Sequence, residues 1–147
     1  MLVYGASGSV GTYAVQLAKH YFGAEVTGVC STANIELVKS LGADRVIDYT
    51  KEEVTQDDPI YNIVFDAVGK FSSSQSKSTL KENGTYLSIR TTTSESTENL
   101  MTLKGLAEAG KIKAVIDRCY PLEGVAEAHR YVETGRKKGN VVITVVG

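Results

Sequence analysis

Leu2-Val3-Tyr4-Gly5-Ala6-Ser7-Gly8-Ser9-Val10-Gly11 decides how the rest of the chain is read. Three β-prone apolar residues run straight into glycines at 5, 8 and 11. Val10, Ala14, Leu17 and Ala18 then recur at helical spacing, up to Tyr21-Phe22-Gly23. The stretch is a strand, a glycine turn and a helix. Residues 24–30 follow as a second strand with few charges, the pattern of a parallel strand buried on both faces.

The rhythm repeats outward from there. Ser31 or Thr32 caps a helix carrying Ile35, Leu37, Val38 and Leu41, which stops at Gly42. Residues 45–49 read as a third strand. Residues 51–56 read as a short helical turn broken by Asp57-Asp58-Pro59. Residues 61–68 read as a fourth strand, the polar run 72–82 as an exposed helix ending at Gly84, and 85–89 as a fifth strand. Alternating strands and helices with short joins predict an α/β, doubly wound parallel sheet in the order 3-2-1-4-5. The Thr- and Ser-rich stretch 91–97 reads as a loop. A helix with Leu100, Leu103 and Leu106 ends at Gly110. A strand over 112–120, a helix from Pro121 to Gly135 and a strand over 141–146 complete a C-terminal strand-helix-strand appendage. The expected division is residues 1–111 for the dinucleotide fold and 112–147 for the C-terminal segment.

The turn carries the chemistry. Ala6, Gly8 and Gly11 fill the three slots of a dinucleotide fingerprint, A-x-G-x-x-G. The middle glycine lets backbone approach a pyrophosphate, and the third lets helix pack against strand. The helix N-terminus beyond the glycines presents free N–H groups to phosphate, and Ser9 and Val10 are counted with the cofactor-binding turn. Position between a strand and a helix is the context that supports this over a purely structural turn. A Walker loop is excluded, because Gly69-Lys70 precedes Phe71 and Gly110-Lys111 precedes Ile112. A nucleophile elbow fails at the last position of Gly5-Ala6-Ser7-Gly8-Ser9. NAD enzymes usually place an acid about 20 residues on, at the end of the second strand. Here Cys30-Ser31-Thr32 stands there, so NADP(H) is favoured and NAD(H) stays open. No Lys or Arg follows closely to hold a 2′-phosphate, and Asn34 occupies the place for one.

Composition bounds the rest. The 147 residues, 42% hydrophobic and 22% charged, suffice for a core without metal or disulfide support. Lys plus Arg is 16 against 17 Asp plus Glu, a net charge of -1, which argues against a nucleic-acid partner. No apolar run is long enough to suggest a membrane span. The first four residues carry no basic n-region, so no secretory signal is read. Cys30 and Cys119 make neither a disulfide framework nor a four-ligand zinc site, and both read as buried hydrophobes. The expected compartment is the reducing cytoplasm.

Several blocks together resemble the medium-chain dehydrogenase/reductase superfamily, in its zinc-independent quinone oxidoreductase branch. They are Val3 to Gly11, Leu41-Gly42-Ala43-Asp44-Arg45-Val46-Ile47-Asp48-Tyr49, Phe65-Asp66-Ala67-Val68-Gly69, Ala109-Gly110-Lys111-Ile112-Lys113, Tyr120-Pro121-Leu122, Glu127-Ala128-His129-Arg130 and Lys138-Gly139-Asn140-Val141-Val142. The resemblance implies an oxidoreductase moving hydride between nicotinamide and a quinone, enone or carbonyl. It places Ala6, Ser7, Gly8, Val10 and Gly11 at the pyrophosphate and Ser31, beside Thr32, near the adenosine ribose phosphate. It places Tyr49 at the adenosine end, Val68 and Gly69 under the nicotinamide ribose, Ser88 and Ile89 beside the nicotinamide, and Asn140 against the cofactor. Tyr49 reads equally as a sheet-end aromatic. Asp66 reads as structural, and His20 and His129 as surface or packing residues. No catalytic residue is identified.

The chain also departs from that family. The resemblance implies a barrel-like substrate domain ahead of the cofactor domain, which these residues do not contain. Zinc ligands would mostly lie there, so no metal is expected. The join 91–97 is too short for the family's further helix and sixth strand. Apolar surface left by the missing parts is expected to be exposed or covered in a homodimer. The alternative function is a non-catalytic nucleotide-binding or regulatory module. A short-chain reductase is disfavoured, because none of the 8 tyrosines has lysine four residues on.

Overall fold

Five short strands line up as one parallel sheet in a computed structural model that describes residues 1–54, 60–91, 93 and 95–145. They are β1 (Leu2–Tyr4), β2 (Thr27–Cys30), β3 (Arg45–Asp48), β4 (Tyr61–Asp66) and β5 (Leu80–Ser88). Their order is β3-β2-β1-β4-β5, as the sequence predicts. Chain direction reverses its lateral course between β1 and β4, which creates a topological switch point above β1.

Alternation in β1 shows why the sheet needs cover on both faces. Val3 packs with Ala6, Val15, Ala18, Val26 and Val38, the layer of helices α1 (Ser9–His20) and α2 (Ile35–Ser40). Leu2 packs on the other face with Val29, Ile47, Tyr61, Val64 and Phe71. Each such aliphatic side chain contributes about 1.5–3 kcal/mol on burial.

The connection from β4 to β5 departs from expectation. The helix α3 spans only Ser73–Thr79, and residues 80–84 belong to β5. Leu80 pairs with Tyr61, so the strand starts before Gly84 rather than after it. The run around Gly84 is an irregularity within the strand: the register shifts between Tyr61 and Ile63, and Asn83 takes φ +66°. Lys81 and Glu82 are exposed there, which suits an edge strand that must not recruit another.

Beyond β5, Ser96 caps helix α4 (Thr97–Glu108) by accepting from the Asn99 N–H at 3.1 Å. The expected loop therefore ends at Ser96, and Thr92 and Ser94 lie outside the described residues. So do residues 55–59, the end of the expected 51–56 turn, and Val146 of the expected last strand. Strand β6 (Ile116–Pro121), a short 3-10 turn over Leu122–Gly124, helix α5 (Val125–Glu133) and strand β7 (Asn140–Thr144) form a separate parallel pair joined by a helix. The helix starts at Val125 rather than Pro121, because the 3-10 turn takes up the first three residues. Cys30 is buried as expected, but Cys119 is exposed on β6, on a two-stranded sheet with too little cover to bury it. No helix among the described residues is long and apolar enough to cross a membrane.

Candidate dinucleotide-binding site

Strand register brings the expected residues to one edge of the sheet. Tyr4 pairs with Val29 and with Asp66, Cys30 with Asp48, and Asp66 with Ser88. The turns after all five strands therefore open on the same side, around the switch point.

At the centre, Gly8 is the N-cap of α1, with no side chain capping this helix end and no acid in its first turn. Gly8 N–H donates to the Gly5 carbonyl at 3.1 Å, closing the turn. A Cβ on Gly8 would meet only that oxygen, at 3.5 Å, so its other side is open space. A Cβ on Gly11 would stand 2.1 Å from the same oxygen. Ala6 and Gly11 are buried, Ser7 and Ser9 partly so, and Val10 is exposed. An open glycine followed by an uncapped helix start fits an anionic diphosphate.

The end of β2, where adenosine is expected, is more elaborate than the sequence suggests. Asn34 Nδ2 donates to both Ser7 Oγ and Ser31 Oγ at 3.2 Å, tying the glycine turn to the end of β2. Thr32 has a different partner from the one expected, since its hydroxyl donates to the Asp48 carboxylate in a short hydrogen bond. The Thr50 hydroxyl and N–H also donate to Asp48, at 2.6 and 3.0 Å. Lys51 Nζ lies 3.7 Å from it. The Thr32 and Thr50 hydroxyls, despite burial, hold the Asp48 carboxyl at about 2. So the end of β3 and the turn after it supply the carboxylate and the cation that local sequence around Thr32 lacks. Tyr49 follows immediately and is exposed, not half-buried. Beneath, burial and then Asp48 push the Cys30 thiol up to about 11.

At the end of β4, where the sequence leads one to expect the nicotinamide, Asp66 is fully buried. Its carboxylate accepts from Val68 N–H at 2.9 Å, Gly69 N–H at 2.8 Å, Phe71 N–H at 2.8 Å and the Tyr86 hydroxyl at 3.2 Å. Four donors satisfy the charge, and they set the loop that carries Val68 and Gly69. Burial and the Asp66 charge raise the Tyr86 hydroxyl, keeping it a neutral donor. Ser88 and Ile89 end the neighbouring strand, with Ile89 exposed. Arg90 reaches over Gly69, its Nε 3.2 Å from where a Cβ would sit. His20 and His129 are exposed and away from these strand ends.

The C-terminal segment closes one side. Asn140 is held by Val115, whose carbonyl accepts from its N–H at 2.8 Å and its Nδ2 at 3.2 Å. The preceding Gly139 donates its N–H to the Ser7 carbonyl at 2.8 Å and accepts from Ser9 Oγ at 2.8 Å. Lys137 Nζ donates to Ser9 Oγ at 2.5 Å. Sequence reasoning missed Lys137, Asp48 and Arg90, because each reaches the site across strands or from the far end of the chain. Among the described residues no three His, Cys, Asp or Glu side chains lie together as a metal site would need.

Comparison with known proteins adds an independent line. The family model for zinc-binding dehydrogenases matches residues 9–120. The 2-methylene-furan-3-one reductase of Solanum lycopersicum is 39% identical over 97% of this chain and 39% of its own length. The chloroplastic NADPH-dependent alkenal/one oxidoreductase of Arabidopsis thaliana is 37% identical, over 97% of this chain and 40% of its own. The quinone oxidoreductase structure from Coxiella burnetii superposes with a TM-score of 0.87 at 27% identity, covering 99% of this chain and 52% of that one. The chain thus spans about half the length of these proteins or less. It belongs to the zinc-binding dehydrogenase family, within the medium-chain dehydrogenase/reductase superfamily.

Proposed function

We propose that this chain is the NADP(H)-holding part of a reductase that moves hydride between nicotinamide and a quinone, enone or carbonyl compound. The observation that carries the reading is the Gly8 turn: an uncapped helix start, open on one side, at the switch point of the sheet. Ser7, Gly8, Ser9 and Val10 would hold the diphosphate, with Ala6 and Gly11 keeping strand and helix close. Ser31, free to donate while accepting from Asn34, and Tyr49 would flank the adenosine. Thr32 acts there through Asp48. Val68 and Gly69, set by Asp66, would support the nicotinamide ribose, and Ser88, Ile89 and Asn140 would border the ring.

When bound, the nicotinamide supplies the hydride, and the protein's share is orientation and exclusion of water. The same arrangement leaves NAD(H) open as a weaker ligand, because the Asp48 carboxylate stands near the place of the 2′-phosphate. Lys51 beside Asp48 and the name of the Arabidopsis relative support NADP(H). Residues 1–111 form the dinucleotide unit and 112–147 a segment that braces it, in our reading. Two free thiols suit a reducing compartment, the cytoplasm in this reading.

NADPH fluorescence titration of the 147-residue chain tests the proposal. Saturable enhancement, stronger than with NADH, is expected. No binding at millimolar cofactor would end it. Steady-state NADPH oxidation with a panel of quinones and enones then separates a working reductase from a module that binds without turnover.

A further inference from the structure

We infer that Lys137 is the cation that meets the cofactor's diphosphate, an inference that rests on the dinucleotide reading above. The residue lies 128 positions from the turn it serves. Its ammonium donates to Ser9 Oγ at 2.5 Å and to the Gly139 carbonyl at 2.9 Å. Ser9 is the first residue of α1, so the charge sits at the uncapped helix start.

Three features separate Lys137 from an ordinary surface lysine. First, it is partly buried, whereas its neighbours Arg136 and Lys138 are exposed. Second, among the described residues no carboxylate lies within 4 Å of its Nζ; the ion pairs found there use Lys19, Lys39, Lys51 and Lys104. Both of its acceptors are neutral, and they use two of its three hydrogens. A partly buried charge held only by neutral oxygens is incompletely compensated, and an anion completes it. Third, the backbone that carries it is fixed in place. Lys138 N–H donates to Asp117 at 3.2 Å, Gly139 N–H to Ser7, and Asn140 N–H to Val115. Gly139 has φ +53°, and a Cβ there would lie 2.3 Å from the Val115 carbonyl oxygen. Only glycine permits that path, which brings residues 137–140 across the turn.

The diphosphate, rather than the 2′-phosphate, is the group in reach. Ser9 belongs to the helix start, while Ser31, Asn34 and Tyr49 gather at the end of β2 and β3. A cation at the diphosphate acts on both dinucleotides alike, since both carry it.

The test is titration of the wild type, Lys137→Gln and Lys137→Arg with NADPH and with NADH, at low and at high salt. Gln keeps a donor for Ser9 and loses the charge. The expected result is about tenfold or greater weakening of both cofactors in Lys137→Gln, consistent with loss of a charge-assisted hydrogen bond. A shallower salt dependence and substantial recovery in Lys137→Arg should accompany it. A thermal melt within a few degrees of wild type shows that the strap still folds. Unchanged affinity in a folded Lys137→Gln overturns the inference and leaves the dinucleotide reading standing. Loss for NADPH alone also overturns it, because the charge then serves the 2′-phosphate. Failure of the wild type to bind either cofactor overturns the dinucleotide reading itself, and this inference with it. Should Lys137→Gln unfold, Lys137→Met and cofactor protection of the wild type against amine-directed acetylation at Lys137 give the same decision: no protection overturns the inference.

Discussion

Gly11 lies so close to Gly5 that a Cβ on Gly11 would stand 2.1 Å from the Gly5 carbonyl oxygen and 2.8 Å from Ala6 Cα. Backbone cannot yield at that distance without separating α1 from β1. Gly8, three residues earlier, has φ -79° and room for a methyl group. The two glycines therefore fail differently. Gly11→Ala is expected to destabilise the fold by about 2–4 kcal/mol, by overpacking. Gly8→Ala should stay within about 0.5 kcal/mol of wild type yet weaken NADPH binding several-fold. Urea unfolding and NADPH titration of both variants check this; equal stability losses would refute the distinction.

Asp66 organises the loop after β4 from below. Asp66→Asn replaces one acceptor oxygen with a donor that faces backbone N–H groups, leaving at least one buried donor unsatisfied. The expected loss is about 1–3 kcal/mol. Tyr86→Phe removes only the hydroxyl contact and should cost about 0.5–1.5 kcal/mol. Because Val68 and Gly69 hang from the same carboxylate, Asp66→Asn should weaken NADPH more than adenosine 2′,5′-bisphosphate, which lacks the nicotinamide ribose. Equal weakening of both ligands would place the effect elsewhere.

Strand order and the position of the glycine turn were legible because both rest on local pattern. Val3 and Leu2 are apolar for opposite faces, and glycine spacing is written in three adjacent turns of letters. The stretch 72–84 was not legible. Its serines, Lys77, Lys81 and Glu82 carry no apolar period, and only pairing of Leu80 with Tyr61 makes the second part a strand. The same holds for the site. Asp48 was visible in the sequence as a strand end but not as the partner of Thr32, which depends on β2 and β3 lying side by side. Lys137 was invisible as a site residue because its contact closes a loop of nearly the whole chain.

The two thiols should react at very different rates. Cys30 is buried, and burial with the Asp48 charge pushes its thiol up to about 11, so thiolate is scarce at neutral pH. Cys119 is exposed. A disulfide reagent at pH 8 should titrate one thiol quickly and the second only after denaturant is added. Cys119→Ser should abolish the fast phase, and two fast thiols in the native protein would contradict the placement of Cys30.

Asp48 should shape the acid limit of stability. Its folded-state carboxyl sits at about 2, below the ordinary 3.8, chiefly through the Thr32 and Thr50 hydroxyls. A depressed value means that the native state prefers the charged form. The stabilisation is therefore complete above about pH 4 and is lost as pH falls from there towards 2. Asp48→Asn should lower stability at pH 7 and flatten the decline between pH 4 and pH 2. Thr32→Val should raise the Asp48 value and steepen nothing above pH 5. Urea unfolding at pH 7, 4, 3 and 2 measures both, and an unchanged acid limb in Asp48→Asn would show that Thr32 and Thr50 do not hold the carboxylate in solution.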